Sequence, residues 1–401
     1  MGMDDNLNFY IMHKNHVVAI ANFSAEGAML SYKTNPSESE HLPLQERQDE
    51  FTGLKKWWRE RSVPIDQGHI SEFLRKHGYH GPEQYLVKNL GLSLTDCYWI
   101  RPMDSDLKWE HVNLFTNDFH ENVLAEAEGT DDGGIPRYSP NGSLQGSIEK
   151  TWSIVDGNRC LVKGNHSILS QESLNEIFSC RIHERQGFRN HVHYDLIRIK
   201  DKPYEFGCIS RAFTSERDEL IPAWAVYTSE KKPNHLTPYE HFIETAGKLG
   251  ADKIDLRQFL EYQIMTDYLM SGYDRHMNNI GLIRDPDSLK IKGIAPIYDS
   301  GASLFAERAI PKKTGELRHI KTNGFCDSEE KLVKLVTDPS VIDLSKLPTG
   351  SDLRQLYEKD PRMNDNDRDT ICNYYDKKIE MCRDIQIGRD TNRKAIYIQE
   401  F

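Results

Sequence analysis

The stretch from Met270 to Phe305 reads MSGYDRHMNNIGLIRDPDSLKIKGIAPIYDSGASLF. Asp274, Arg275, His276, Asn278 and Asn279 crowd together, and an isolated carboxylate, Asp299, follows in IYDSG. Three kinds of site use such residues: a metal site, a phosphoryl-transfer site and an ordinary polar turn. Phosphoryl transfer needs a division of labour, in which one carboxylate orients a hydroxyl while other oxygens hold a divalent cation on the phosphates. Asp274 suits the first task. Asn279 and Asp299 suit the second, because Mg2+ takes few protein ligands and prefers oxygen. The apolar runs NIGLI and IAPIY predict a hairpin around RDPDSLKIKG, which would return Asp299 to the side of Asp274 and Asn279.

A phosphate-binding turn is then expected upstream. SPNGSLQGSIEKTW places Gly142 and Gly146 where a backbone needs room to approach an anion. Lys163 closes the strand RCLVKG and can reach phosphates from there. It needs an acidic anchor on the helix that follows, where Glu172 and Glu176 are both available. Each part alone is commonplace in turns and helices. Their order, glycine turn, strand Lys, helix Glu, Asp-x4-Asn and Asp, is the order of parts in protein kinases.

These residues resemble the motifs of the HipA-like kinases, a bacterial branch of the protein-kinase-like superfamily. The resemblance is carried by SLQGSIEKT (143–151), VKG (162–164), NE (175–176), DRHMNNIGLI (274–283) and IAPIYDSG (294–301). DRHMNN is also similar to the Asp-Arg-His loop of phosphoinositide kinases. The resemblance implies an ATP- and Mg2+-dependent Ser/Thr protein kinase. In it Asp274 is the catalytic base, His276 braces the loop, and Asn279 and Asp299 ligate Mg2+. Lys163, paired with Glu176, holds the ATP phosphates, and the backbone of Leu144, Gln145, Gly146 and Ser147 covers them. Ile209, Ser210, Arg211 and Phe213 belong to the hinge beside adenine, and Ser143 is the autophosphorylation site. The resemblance extends to a toxin-like role in growth, a protein substrate such as a translation factor, and an antitoxin-like inhibitor. Residues 1–125 show no match to the family's N-terminal subdomain. Two other readings stand beside this one. The first is a nucleotide-binding regulatory module that docks through residues 1–125 without turnover. The second is a phosphoinositide kinase, for which the basic stretch ERAIPKKTGELRHIKTNG would meet acidic head groups.

The elements that must position these groups follow from periodicity. FYIMH and HVVAIANF read as strands, and residues 44–125 as mostly helical. EAEGTDDGGIPRYSPNG (126–142) reads as a linker. Two strands meet around the turn DGN. A helix over 170–187 follows, with Ser170 as cap, Leu174, Ile177, Phe178 and Ile182 as its buried stripe, and Gly187 as its stop. HVHYDLIRI and EFGCISRAF are further strands. PYEHFIETAGKL, DLRQFLEYQIMTDYLMSG and 366–388 are amphipathic helices. The expected class is α+β: a bilobal protein-kinase-like fold with a small antiparallel sheet and helix in its N-lobe (143–213) and a mainly helical C-lobe (214–401). An α/β accessory domain (1–125) precedes it.

Composition bounds the rest. A chain of 401 residues, 38% hydrophobic and 10% aromatic, can bury more than one core. Trp57, Trp58, Trp99 and Trp109 read as core rather than as a partner surface. The 51 Lys and Arg against 62 Asp and Glu leave a net charge of -11, which argues against broad nucleic-acid or anionic-membrane binding. The 7 cysteines are scattered without a CxxC pair, which points to a reducing cytoplasm rather than a disulfide scaffold or zinc ribbon. Cys160 and Cys208 read as core thiols, and His77 and His80 have no partner at metal-ligand spacing. Acidic residues stand where a signal peptide would be basic, and no apolar run approaches the roughly 18 residues of a spanning helix.

Overall fold

The computed structural model describes residues 7–44, 52–67, 70–119 and 138–389. Most of the expected linker therefore lies outside the described residues. In chain order, β1 (Leu7–His13), β2 (His16–Phe23) and β3 (Met29–Thr34) come first, followed by α1 (Gly53–Arg61), α2 (Ile70–Lys76) and α3 (Pro82–Lys88). Then come β4 (Tyr98–Pro102), the single turn α4 (Trp109–Val112), β5 (Lys150–Val155), β6 (Asn158–Lys163) and α5 (Gln171–Gln186). The strands β7 (Tyr194–Arg198), β8 (Phe206–Arg211) and β9 (Glu219–Pro222) lead into α6 (Ala223–Thr228), α7 (Pro238–Lys248) and α8 (Lys253–Met270). The chain finishes with β10 (Gly281–Arg284), β11 (Ile291–Ile294), α9 (Glu329–Val333), α10 (Gly350–Tyr357) and α11 (Asp365–Gln386). Helices with small antiparallel sheets are the mixed content expected from the sequence. No helix among the described residues is long and apolar enough to cross a membrane.

Two compact units interleave in the sequence. One joins Met1–His166, Gly207–Lys253 and Gly281–Ala295; the other joins Ser167–Phe206, Ile254–Ile280 and Pro296–Phe401. In the first unit the strands β3-β2-β1-β4 form an antiparallel sheet. The described residues of 44–125 are less helical than their periodicity suggests, because YWIRP pairs with β1 as a strand instead. Its aromatic and β-branched side chains fit a pleated, half-buried surface. Trp57, Trp58, Trp99 and Trp109 all lie in the core of this sheet and its helices. Arg61, at the end of α1, forks onto both carboxylate oxygens of Asp96 and also donates to the carbonyls of Gly91 and Tyr98.

β5 and β6 form the expected hairpin. Asp156 (φ 49) and Gly157 (φ 73) both take left-handed backbone at its turn, the geometry that matches the twist of paired strands. β8 pairs with the other edge of β6. A second sheet runs β11-β10-β9. The hairpin forms, but its second arm starts earlier than expected: β11 is Ile291–Ile294 and takes in only the start of IAPIY, with Ile294 opposite Leu282. Ile297 instead bridges His191 in parallel, within the second unit.

The first unit is tied together by a fully buried carboxylate. Glu219 accepts from His13 Nε2 at 3.2 Å, from Arg284 Nε at 2.6 Å and from the Cys97 amide at 3.3 Å. Arg284 also donates to the Tyr98 hydroxyl. β1, β4, β9 and β10 thus meet at one charge.

In the second unit α5 spans the predicted helix and ends at Gly187 in the left-handed conformation (φ 70). Ser170 holds the cap position, but its hydroxyl accepts the Phe206 amide instead of capping the helix. Leu174, Phe178 and Ile182 are fully buried, whereas Ile177 is half-buried. Polar Gln171, Glu172, Asn175 and Glu176 are buried too, so α5 is enclosed on nearly every side. Lys378 of α11 is buried against Glu329.

Burial alone would raise the Glu219 carboxyl, but His13 and Arg284 outweigh it and hold it at about 2 against an ordinary 4.5. A depressed carboxyl adds stability that is fully present above its unfolded value and drains as the pH falls toward the folded one. Glu219→Gln should therefore cost about 3–5 kcal/mol at neutral pH, since it strands a buried guanidinium. Urea unfolding of wild type and variant from pH 7 to pH 3 should show the gap narrowing with acid. A gap that stays constant with pH would contradict this.

Candidate functional site

The second unit carries Asp274, His276, Asn279, Asp299 and Glu176. α8 is buried along most of its length and ends at Met270, after which Ser271 takes left-handed backbone (φ 48) and the chain enters the 272–280 loop. Arg275 in this loop is buried. Its Nε and Nη2 fork onto Asp267 of α8 at 2.9 and 3.0 Å. Its remaining hydrogens reach the carbonyls of Asn279 and Tyr298 and the Ser300 hydroxyl. One guanidinium thus binds the loop of Asp274 and Asn279 to the loop of Asp299. The Tyr298 hydroxyl adds a second tie by donating to the Asn278 carbonyl at 2.6 Å. Burial by itself would lower the Arg275 group; Asp267 more than compensates and raises it above its ordinary value.

The candidate side chains are set by this frame. Asn279 Nδ2 donates to the Asp274 carbonyl at 2.9 Å, so the amide oxygen is the atom it can offer to a cation. Asp299 takes left-handed backbone (φ 59), uncommon for a residue with a side chain. Such strain persists where the surroundings over-determine the conformation, often at functional sites. The surroundings here are specific. Glu176 accepts the Ser300 amide at 2.9 Å. Asn175 donates to the carbonyls of Gly301 and Ser303, and Gln171 donates to that of Leu304. At Gly301 a Cβ would stand 2.9 Å from the Glu172 carbonyl oxygen, so only glycine lets the loop lie this close to α5.

Asp274 is partly exposed. Its Oδ1 accepts from Asn323 Nδ2 at 3.1 Å, while Oδ2 lies 3.9 Å from His276 Nε2, beyond hydrogen-bond reach. His276 accepts the Asn278 amide through Nδ1 at 3.3 Å, a contact inside its own loop. The oxygen donors of Asn279 and Asp299 are the hard ligands that Mg2+ takes, so these residues fit the ion that the kinase resemblance implies.

The first unit carries the other candidates. Ile209, Ser210 and Arg211 pair with Val162, Leu161 and Cys160 across β8 and β6, and Lys163 stands opposite Cys208. Phe213 lies just past the strand. Cys160 and Cys208 are buried thiols, as expected. The 143–147 turn is lashed to residues 61–67. Gln67 Nε2 donates to the carbonyls of Leu144 and Gly146, and Gln145 Nε2 donates to those of Arg61 and Ser62. Lys150 donates to the Gln145 carbonyl at 2.6 Å. Gln145, Gly146 and Ser147 are exposed, with Gly146 in left-handed backbone (φ 91), whereas Leu144 is buried. Ser143 is also buried, and its hydroxyl donates to the carbonyls of Leu92 and Pro140. That oxygen is not presented to solvent in this conformation.

Sequence reasoning passed over Arg275, Asp267, Tyr298 and Asn323. A signal existed for two of them. Asp267 is a charge inside the apolar run QIMTDYLM, and Arg275 stands among candidate catalytic residues; a buried charge of either sign demands a partner. Nothing local marks Asn323.

No family model matches the chain, and no curated protein does. Among solved structures, the crystal structure of a Helicobacter pylori proinflammatory kinase, CtkA, is similar to this chain with a TM-score of 0.47. The likeness covers 61% of this chain and 92% of that one at 15% identity. At that level it assigns neither activity nor substrate.

Asp267→Asn should strand the Arg275 guanidinium and cost about 3–5 kcal/mol in urea unfolding. Amide exchange over 274–280 and 298–301 should rise in the variant well before global unfolding. Protection equal to wild type in both segments would show that the loops hold without the ion pair.

Proposed function

We propose that this protein is an ATP- and Mg2+-dependent kinase that transfers the γ-phosphate to a Ser or Thr hydroxyl of another protein. The observation that supports it most is the Arg275 clamp, which joins the loop of Asp274 and Asn279 to the strained loop of Asp299 in the second unit. Phosphoryl transfer depends on positioning and charge stabilisation more than on covalent help. Two oxygen-bearing side chains on mutually pinned loops suit that demand.

The roles follow. Asp274 Oδ2 accepts the proton of the attacking hydroxyl, while Asn323 on Oδ1 holds the carboxylate in orientation. Asn279 and Asp299 would hold Mg2+, which supplies charge neutralisation on the phosphates when bound. Lys163 contributes a positive charge to the phosphates, with Glu176 as its acidic anchor. The backbone of 144–147 covers the phosphates, and 209–213 meets the adenine. Glu176 also sets the backbone of the Asp299 loop, since it accepts the Ser300 amide. Autophosphorylation at Ser143 would first require the 140–147 turn to open and free the hydroxyl from Leu92 and Pro140. A protein acceptor, a toxin-like role, an inhibitory partner and a cytoplasmic setting rest on the resemblance to HipA-like kinases. The domain reading places the nucleotide-handling lobes in 143–213 and 214–401, with 1–125 as accessory.

The test is incubation of the full chain with Mg2+ and γ-labelled ATP, beside Asp274→Asn, followed by phosphosite mapping. Asp274 is partly exposed, so the variant should melt within a few degrees of wild type. It should lose about 10²–10⁴-fold in transfer rate, the usual contribution of a general base. Equal labelling of the two proteins would refute the assignment. ATP that raises the melting temperature without any labelling would favour the nucleotide-binding module.

A further inference from the structure

Away from the Asp274 loop, the second unit gathers one thiol and two imidazoles. Cys180 lies on α5, and His191 and His193 lie on the segment that enters β7. One donor atom from each falls within 4.8 Å of the other two. We propose that Cys180, His191 and His193 form a metal site for a zinc-type cation, with three protein ligands and a fourth position open to water. The proposal is independent of the kinase reading.

The donor chemistry selects the ion. A thiolate with two neutral imidazoles suits Zn2+ or a similar borderline cation and is wrong for Mg2+. Bond lengths of about 2.0–2.3 Å in tetrahedral geometry place ligand atoms about 3.4–3.6 Å apart. The donor atoms lie within 4.8 Å of one another, so closing on a cation needs at most about 1.4 Å per pair, part of which the exposed His193 can supply by rotating.

The surroundings are those of a ligand set. His191 Nδ1 lies 2.8 Å from the Phe188 carbonyl, which takes its hydrogen and leaves Nε2 as the lone pair. Metal-bound histidines are commonly oriented in this way by a carbonyl or carboxylate on the second nitrogen. His193 has a carboxylate at each nitrogen, Glu184 at 3.1 Å from Nδ1 and Asp195 at 3.5 Å from Nε2. Whichever nitrogen turns to the metal, the other keeps its carboxylate. The Tyr194 amide points at Cys180 Sγ from 3.4 Å, a donor that stabilises a thiolate. Without a metal, burial keeps this thiol protonated, pushed up to about 12, and its hydrogen is directed at the Val192 carbonyl. On binding, the S–H bond breaks, the sulfur pair bonds to the cation and the proton passes to solvent.

Two other groups are excluded. His183 is committed through both nitrogens, to the hydroxyls of Ser179 and Tyr262. In the first unit His16, Glu38 and His41 also cluster, but they offer no sulfur. The rings of His16 and His41 stack at 3.9 Å, face to face rather than with lone pairs converging. A filled Cys180 site would fasten α5 to residues 191–194. That segment exchanges backbone hydrogen bonds with Ile297: the Val192 amide donates to the Ile297 carbonyl, and the Ile297 amide to that of Asn190.

The test is titration of the chelator-treated full chain with Co2+, a spectroscopic stand-in, and then with Zn2+. The expected result is one equivalent bound, a thiolate-to-cobalt band in the near ultraviolet and visible bands of tetrahedral strength, all displaced by Zn2+. Cys180→Ser should abolish the thiolate band. His193→Ala, at an exposed position where folding is not at stake, should weaken binding at least about 10-fold. A wild-type protein that shows no thiolate band, or a His193→Ala variant with unchanged affinity, would overturn the site. Either result would reduce any binding to adventitious surface histidines.

Discussion

The Arg275–Asp267 ion pair is the constraint on which the second unit's candidate site depends. Two charges removed from water cost several kcal/mol each, and their attraction repays this only with good geometry and further hydrogen bonds. Both conditions hold. The fork onto Asp267 is bidentate, and the rest of the guanidinium serves Asn279, Tyr298 and Ser300. A lysine would present a point charge and could not serve five acceptors in one plane. The arrangement converts one buried charge into a rigid joint between two loops that lack regular secondary structure.

α5 does for the Asp299 loop what Arg275 does from the opposite end. Gln171, Asn175 and Glu176 stand about one helical turn apart or adjacent, on the face turned to residues 300–304. Their hydrogen bonds to the 300–304 segment reach its backbone atoms. The loop's path is thus held through its main chain. The left-handed backbone of Asp299 is held by these external bonds rather than by local preference. In the first unit a comparable role falls to Glu219, a buried carboxylate that four strands share, and to Gln67 and Gln145, which bind the 143–147 turn through its carbonyls and those of α1. Residues 61–67 are therefore part of what shapes that turn.

Much of the local structure was legible. The DGN turn, the helix over 170–187 with its glycine stop, and the helices near 238–249, 255–272 and 366–388 appear close to where periodicity puts them. The failures have physical causes. Residues 44–125 looked helical because short apolar runs carry no decisive period, and pairing with β1 drew YWIRP into a strand. IAPIY looked like a hairpin arm; its first residue, Ile294, does join the hairpin, but Ile297 pairs with a distant segment at His191, which no local rule foresees. Ser170 occupies a cap position, but tertiary contact with Phe206 took its hydroxyl. Ser143, the autophosphorylation site that the resemblance implies, is buried with its hydroxyl on the carbonyls of Leu92 and Pro140, contacts that no local rule foresees.

The sequence by itself determined which atoms are available for chemistry. Carboxylates, an amide and a lysine stand in a certain order, with glycines where the backbone must turn, because these depend on residue type and short-range spacing alone. It also determined most helices, since their hydrogen bonds close within four residues. The tertiary structure alone decided which loops are joined, which charges are buried, and which thiol and imidazoles converge. Asp267 and Arg275 are eight residues apart, yet the acceptors they organise lie at 298–300; Cys180 meets His191 and His193 only because the chain reverses after Gly187. Such contacts are set by burial, where the cost of an unpaired polar group selects one arrangement among many, and that cost arises only once the chain has closed on itself.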